Sequence, residues 1–346
     1  MKKAVLASAV FAAMVSGSAL AAEVYNADGT TLKIGGRAEF RGDFIGSKGV
    51  EIPGSMENNS RFRINVGGET QITDGLTGFG FYEAEQGVTS SGDNSATTSL
   101  KQRYMYAGIG TQFGAISFGK QDTAGVQISQ MSDDGQIWTG DQKKFIAAGD
   151  EQANNAIAYS NVFADVFSLK ASVIASDEKN ENGYGISGIY ATPFGLDIGL
   201  GYAQNDFNAL DIGDIDVTEQ GKADQIIGGL SYSIASLTLG GTYTQGTYKF
   251  DNLSNVDFSG VELSGTYKFD NGFRIMAAYA KQELKDTVGG EKDILNDFVE
   301  LTGQYHFNKS LRTYLSYKID NRKAEYVDNN GNAADDTLRL GLRYDF

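Results

Sequence analysis

From about residue 31 to the end of the chain, apolar and polar residues exchange places at nearly every position. In the final stretch LRLGLRYDF, Leu338, Leu340, Leu342, Tyr344 and Phe346 occupy one set of alternate positions, and Arg339, Gly341, Arg343 and Asp345 the other. Successive side chains of an extended strand point to opposite faces, so this is a strand with one apolar and one charged face. The same reading holds in TLKIGGRAEFRG, where Leu32, Ile34, Ala38 and Phe40 oppose Lys33, Arg37, Glu39 and Arg41, and in SRFRINVGG, where Phe62, Ile64 and Val66 oppose Arg61, Arg63 and Asn65. Near the end, Val299, Leu301, Tyr305 and Phe307 oppose Glu300, Thr302, Gln304 and His306, and Leu311, Leu315 and Ile319 oppose Arg312, Ser316 and Lys318.

The connections alternate as well. ITDGLTG, TQFGAI, TPFGLD, FDNGFR and FNKSLR are short, and Asp-Gly or Asn-Gly supplies the positive φ of a tight hairpin. Between them lie longer polar connections at 46–59, 87–99, 121–153, 176–182, 205–223, 249–256, 285–296 and 321–334. Short turns at one end and long ones at the other describe an antiparallel up-and-down meander of about sixteen strands. No linker divides it, so the fold class is all-β in a single unit.

Which face is the core is the next question. A soluble sandwich turns its apolar face inward and leaves the outer face free to vary. Here the polar face repeatedly carries arginines and acids, and aromatics collect near strand ends on the apolar one. That arrangement suits a barrel with lipid outside and water inside.

The N-terminus agrees. Lys2 and Lys3 precede an apolar run from Ala4 to Leu20, and small residues close it at Ala19-Leu20-Ala21. This is the pattern of a secretory signal peptide, residues 1–21, with cleavage expected after Ala21. The mature barrel, residues 22–346, would then hold 346 − 21 = 325 residues and a charge of 27 − 44 = −17. A surplus of acid argues against nucleic acid as a partner. Without cysteine there is neither a disulfide framework nor a thiolate metal site.

Four blocks carry a family resemblance: AEVYNADGTTLKIGGRAEF, RINVGGETQITDGLTGFGFYE, RYMYAGIGTQFGAISFGKQD and DDTLRLGLRYDF. Together they resemble the general diffusion porins of Gram-negative outer membranes, in particular those of marine vibrio-like bacteria. The resemblance spans the mature chain. It implies a 16-stranded transmembrane β-barrel, a homotrimer, and a third extracellular loop folded inward to narrow a water-filled channel for small hydrophilic solutes and ions. It also implies contact with lipopolysaccharide and outer-membrane lipids, and a terminal aromatic, here Phe346, read by the barrel-assembly machinery.

In such porins a ladder of basic residues faces acids on the inward loop. The resemblance places Arg37, Arg63 and Arg103 on that basic wall, and Arg61 shares the polar face of Arg63. The third loop is 121–153, where Asp133 matches a constriction acid and Asp134 is its neighbour. The enteric Pro-Glu-Phe-Gly-Gly turn is missing; SDDGQIW stands instead, and the second acid position falls on Ile137. Gln152 stands where relatives often carry a base, so moderate cation selectivity is expected.

Catalytic and metal chemistry find no support. His306 is the sole histidine, on a polar strand face with no nucleophile at a telling spacing. GIGTQFG has the wrong spacing for a nucleotide fingerprint and precedes a strand. The acidic runs at 211–220 and 328–336 lack the ligand spacing of a calcium loop. The expectation is therefore a channel without cofactor or catalytic residues. A substrate-specific porin, a barrel-anchored adhesin and an outer-membrane hydrolase are the alternatives.

Overall fold

The computed structural model describes residues 21–47, 50–88, 100–141, 143–212, 215–290, 292–322 and 334–346. The expected signal peptide, apart from Ala21, and most of the acidic run at 328–336 lie outside the described residues.

Among the described residues, sixteen long strands form the barrel wall: β1 Thr30–Asp43, β2 Arg61–Thr73, β3 Leu76–Gly87, β4 Lys101–Thr111, β5 Gly114–Gln121, β6 Ala153–Phe163, β7 Phe167–Ile174 and β8 Gly183–Ala191 make the first half. The second half is β9 Leu196–Phe207, β10 Gly221–Ile234, β11 Leu237–Phe250, β12 Val256–Lys268, β13 Phe273–Asp286, β14 Lys292–His306, β15 Leu311–Asp320 and β16 Thr337–Asp345. Each pairs antiparallel with its sequence neighbours. The ring closes where β1 meets β16, with Arg37 opposite Asp345 and Asp43 opposite Arg339. The lower part of β1 is instead covered by a leading strand, Ala22–Ala27. Closure leaves no free strand edge among the long strands, the requirement for a sheet in hydrocarbon.

Burial follows the alternation in inverted sense. On β14, Glu300 is 0 % exposed between Val299 at 39 % and Leu301 at 58 %. On β16, Arg339 is buried while Leu340, Leu342 and Tyr344 are exposed. The apolar faces therefore look outward around the ring, toward lipid, and the polar faces inward. No helix of the described residues is long and apolar enough to cross a membrane.

Short turns occupy one end. Gly75 and Gly272, with φ of 86° each, close the Asp-Gly and Asn-Gly hairpins. Two further turns carry no glycine at their tip: Ala164 and Asp165 (φ 51° and 60°) join β6 to β7, and Ala235 (φ 49°) joins β10 to β11. The last residue completes the ring at this end. Gly36 N–H donates to the Phe346 carbonyl at 2.9 Å and Phe346 N–H to the Gly36 carbonyl at 3.1 Å. The Phe346 ring lies against Phe62 and Tyr344 at 6.1 and 6.2 Å.

Candidate functional site

Two constructions share the barrel interior, a charged wall and a loop facing it. The wall is built on β1 to β4. Register places Arg37 opposite Arg63, Glu39 opposite Arg61, and Arg63 opposite Glu85, so charges of both signs from neighbouring strands meet on the inward face. Arg41 and Arg61 approach Glu39 at 3.3 and 2.7 Å. Arg37 lies 3.6 Å from Glu85, and Arg61 and Arg63 reach the same carboxylate at 3.4 and 2.6 Å. Arg63 and Arg103 then share Glu83 at 3.2 and 2.7 Å. Five arginines and three glutamates leave this ladder at 5 − 3 = +2. Beside it, Asp43 takes a two-pronged ion pair from Arg339 at 2.6 and 2.7 Å.

The loop, called L3 here, is the connection 122–152 between β5 and β6. It opens with a single helical turn, α1 Val126–Ser129, followed by the 3-10 turn Gln130–Ser132. Gly199 and Gly229 let this turn approach the wall closely. A Cβ at either position would stand 2.6 or 2.8 Å from the Met131 sulfur. The Ser172 hydroxyl on β7 accepts from Ala124 N–H at 2.9 Å, and Gln127 Nε2 donates to Ser187 Oγ on β8 at 2.7 Å.

The tip of L3 is held by two buried wall carboxyl groups. Glu262 on β12 accepts from Ser132 Oγ at 2.6 Å and from Gly140 N–H at 2.7 Å. Glu300 on β14 accepts from Ile137 and Trp138 N–H at 2.9 and 3.1 Å, and from Thr302 Oγ1 at 2.6 Å. Trp138 Nε1–H donates to Ser316 Oγ on β15 at 3.0 Å, and the Arg339 guanidinium stacks 3.7 Å from its ring centroid. L3 thus lies along inward-facing residues from β7 to β15, and the arginine ladder forms the part of the wall it leaves bare.

On its return, Phe145, Ile146 and Ala148 of L3 pack with Ile174, Ala203, Ala223, Tyr248, Phe250, Phe258 and Leu284 in an apolar cluster inside the barrel. Phe145 stacks on Phe258 at 4.5 Å. These wall residues occupy the water-facing set of their strands; the loop removes them from water and is fixed by them.

The residues singled out from sequence are distributed as follows. Arg37, Arg61, Arg63 and Arg103 come together in one ladder. Asp134 turns to Lys268 on β12, at 2.8 Å, and Asp133 accepts from Gly135 N–H at 3.0 Å. Neither acid is in ion-pair reach of the ladder; its counter-charges are Glu39, Glu83 and Glu85. Burial pushes the Asp133 carboxyl above the usual carboxylate range, and the Gly135 N–H and Lys143 pull it partway back. Gln152, at φ 56°, closes L3 by donating its N–H to Asp122 at 3.3 Å. His306 hydrogen-bonds Gln304 at 2.6 Å, with no nucleophile among its partners. Sequence reasoning missed Glu39, Glu83, Glu85, Glu262 and Glu300 as functional groups, although alternation places Glu39 and Glu300 on polar faces. Among the described residues no cluster of acids and histidine could hold a metal ion.

Comparison with known proteins gives a consistent result. A family model described as Gram-negative porin matches residues 7–325. Porin-like protein L of Photobacterium profundum is 34 % identical over 364 residues, and outer membrane protein U of Vibrio cholerae 31 % identical over 367, each covering all of both chains. Among solved structures, OmpF of Salmonella typhi in complex with daunomycin superposes with a TM-score of 0.75 at 21 % identity, covering 94 % of this chain and all of the other. The trimer form of in-vitro folded OmpT of Vibrio cholerae superposes at 0.73 and 20 % identity, covering 92 % of this chain and all of the other. At these identities the structural likeness speaks for the fold.

Proposed function

The chain belongs to the Gram-negative porin family and is an outer-membrane diffusion porin, and we propose that its channel is moderately cation-selective because the arginine ladder is largely neutralised by Glu39, Glu83 and Glu85. That pairing is the observation that carries the reading. With five positive charges opposed by three wall acids, the ladder keeps only a small excess. L3 adds Asp122, Asp133, Asp134, Asp141, Asp150 and Glu151 against Lys143 and Lys144. Low-dielectric walls focus the field of these groups where the passage is narrowest, whereas salt screens charges farther than ~8 Å away.

The reversal potential across a planar bilayer in a KCl gradient tests this. The wild type should carry the sign of cation preference. Gln152→Arg, adding a charge where L3 returns to the wall, should move the potential toward anions by a few millivolts or more. An anion-selective wild type refutes the reading.

Transport needs no turnover chemistry, and no enzymatic role is proposed. The substrate-specific alternative would need an aromatic track along the passage. The aromatic residues of the interior cluster, Phe145, Tyr248, Phe250 and Phe258, are instead buried against one another under L3.

Assembly as a homotrimer follows the trimer form of the OmpT relative. The outward faces of β10 to β14 end at the long-loop side in a belt of paired charges, including Lys281 with Glu283 at 2.8 Å and Lys292 with Glu283 at 3.1 Å. Such a belt matches lipopolysaccharide headgroups above the hydrocarbon. Phe346 serves as the signal for the barrel-assembly machinery, and its hydrogen bonds to Gly36 support that role. Unheated detergent samples should migrate as a compact oligomer and boiled ones near monomer mass. Deleting Phe346 should reduce surface levels severalfold; normal levels of the truncated chain would remove the terminal residue from assembly.

A further inference from the structure

The long-loop end of the barrel contains a recess that the channel reading does not use. It is a 690 Å3 cavity between the returning arm of L3 and the upper ends of β6, β7, β9, β10 and β11. Its floor is apolar, formed by Phe145 and Ile146 of L3 with Ile174, Phe207, Leu210 and Tyr248. Tyr248 backs this floor from below: it is 1 % exposed, its hydroxyl donates to the Phe145 carbonyl at 2.5 Å and its ring packs on Phe258 at 4.8 Å. Phe207 stands edge-on to that ring at 6.0 Å.

The rim has a different chemistry. Asp177 and Glu181 project from the connection between β7 and β8, and Asn154 and Asn155 from the start of β6. The two acids are held by neutral amides, Asp177 by Asn155 at 3.5 Å and Glu181 by Asn208 at 3.2 Å. Among the described residues no lysine or arginine lines the recess. The third acid there, Asp206, is claimed by Lys222 at 3.6 Å. Two carboxylates with no cationic partner among the described residues therefore overlook an apolar floor.

We propose that this recess binds small amphiphilic cations, molecules with one aromatic or alkyl body and one ammonium group. The body leaves water on the floor where Phe207 and Leu210 are partly exposed, and the ammonium meets Asp177 and Glu181 at the rim. An anion with the same body meets repulsion at the rim. A cation without the body gains nothing from the floor. The site lies away from the arginine ladder, so it would hold solute at the mouth rather than in the narrow passage.

The test is isothermal titration of the purified, detergent-solubilised full-length barrel with 1-naphthylmethylammonium chloride. Saturable binding is expected, with no saturable heat from naphthalene-1-sulfonate or tetramethylammonium. The double variant Asp177→Asn, Glu181→Gln should weaken binding roughly tenfold, a change of ~1.4 kcal/mol. Its oligomer mobility and conductance should be those of wild type, which separates a lost site from a lost fold. Glu85→Gln, in the ladder, should leave the affinity unchanged. Uptake that never saturates, equal affinity in the double variant, or an equal loss in Glu85→Gln would each overturn the assignment. None of these outcomes depends on the channel's ion preference.

Discussion

Replacing Glu83 and Glu85 together by glutamine should carry the reversal potential through zero, from cation to anion preference. The ladder would change from +2 to +4 without any residue being added. Arg63 and Arg103 would lose carboxylates now 2.6 and 2.7 Å away, and Arg37 and Arg61 the longer contacts to Glu85. A unit charge about 8 Å from a passing ion contributes about 0.5 kcal/mol at the dielectric constant of water and about 2 kcal/mol at an effective value of 20. Each removed acid acts in opposite senses on potassium and chloride. Even the lower figure therefore shifts their permeability ratio roughly fivefold or more. The converse pair, Arg61→Gln with Arg63→Gln, should deepen cation preference. Unchanged reversal potentials in both variants would mean that ions do not pass along this ladder.

The second large effect concerns the anchoring of L3. Glu262 and Glu300 each use both carboxyl oxygens to accept hydrogen bonds, and three of their donors are the backbone N–H groups of Ile137, Trp138 and Gly140. Glutamine at either position presents an NH2 group where a second acceptor is needed. A buried donor left without its partner costs about 1–3 kcal/mol. Glu262→Gln with Glu300→Gln is therefore expected to release the loop tip. The readout is single-channel conductance, which should rise and become noisy as L3 leaves its wall. The interior cluster around Phe145 keeps the returning arm in place, so the barrel itself should retain its heat-resistant oligomer. Quiet channels of wild-type conductance would show that the two carboxyl groups are not what holds the tip.

The contrast between these two sites shows what can be read from the chain alone. The strands and their inverted faces are legible because alternation is imposed one strand at a time by lipid on one side and water on the other. Arg37, Arg61 and Arg63 fall on the polar faces of the same pattern, whereas Arg103 shares its alternate positions with the exposed Met105 and Ile109 and reaches Glu83 through the register shift beside it. Their counter-charges do not follow from the pattern, because whether Arg63 meets Glu85 or another residue depends on the register between two strands. Single-strand periodicity carries no such information. The turns at Ala164 and Ala235 escape for a local reason: alanine in the left-handed region carries no compositional mark. The anchoring of L3 joins residues more than one hundred positions apart, as with Ser132 and Glu262. Tyr248, Phe250, Phe258 and Leu284 invert the rule outright. They sit on water-facing positions yet are apolar, and only the loop that covers them explains why.

The closure at Phe346 has a temporal side. A chain enters the periplasm N-terminus first, so Gly36 arrives early and must wait for the residue that will accept and donate its two hydrogen bonds. Until β16 is delivered, the edge of β1 above the leading strand and the edge of β15 have no partner. An incomplete chain therefore cannot resemble a finished one at any stage, however many hairpins it has formed. Placing the closing pairs on β16, the strand that follows all the others, makes its delivery a condition for sealing the ring. Prematurely terminated chains keep their strand edges open, where a periplasmic chaperone or protease can recognise them before they become a leak.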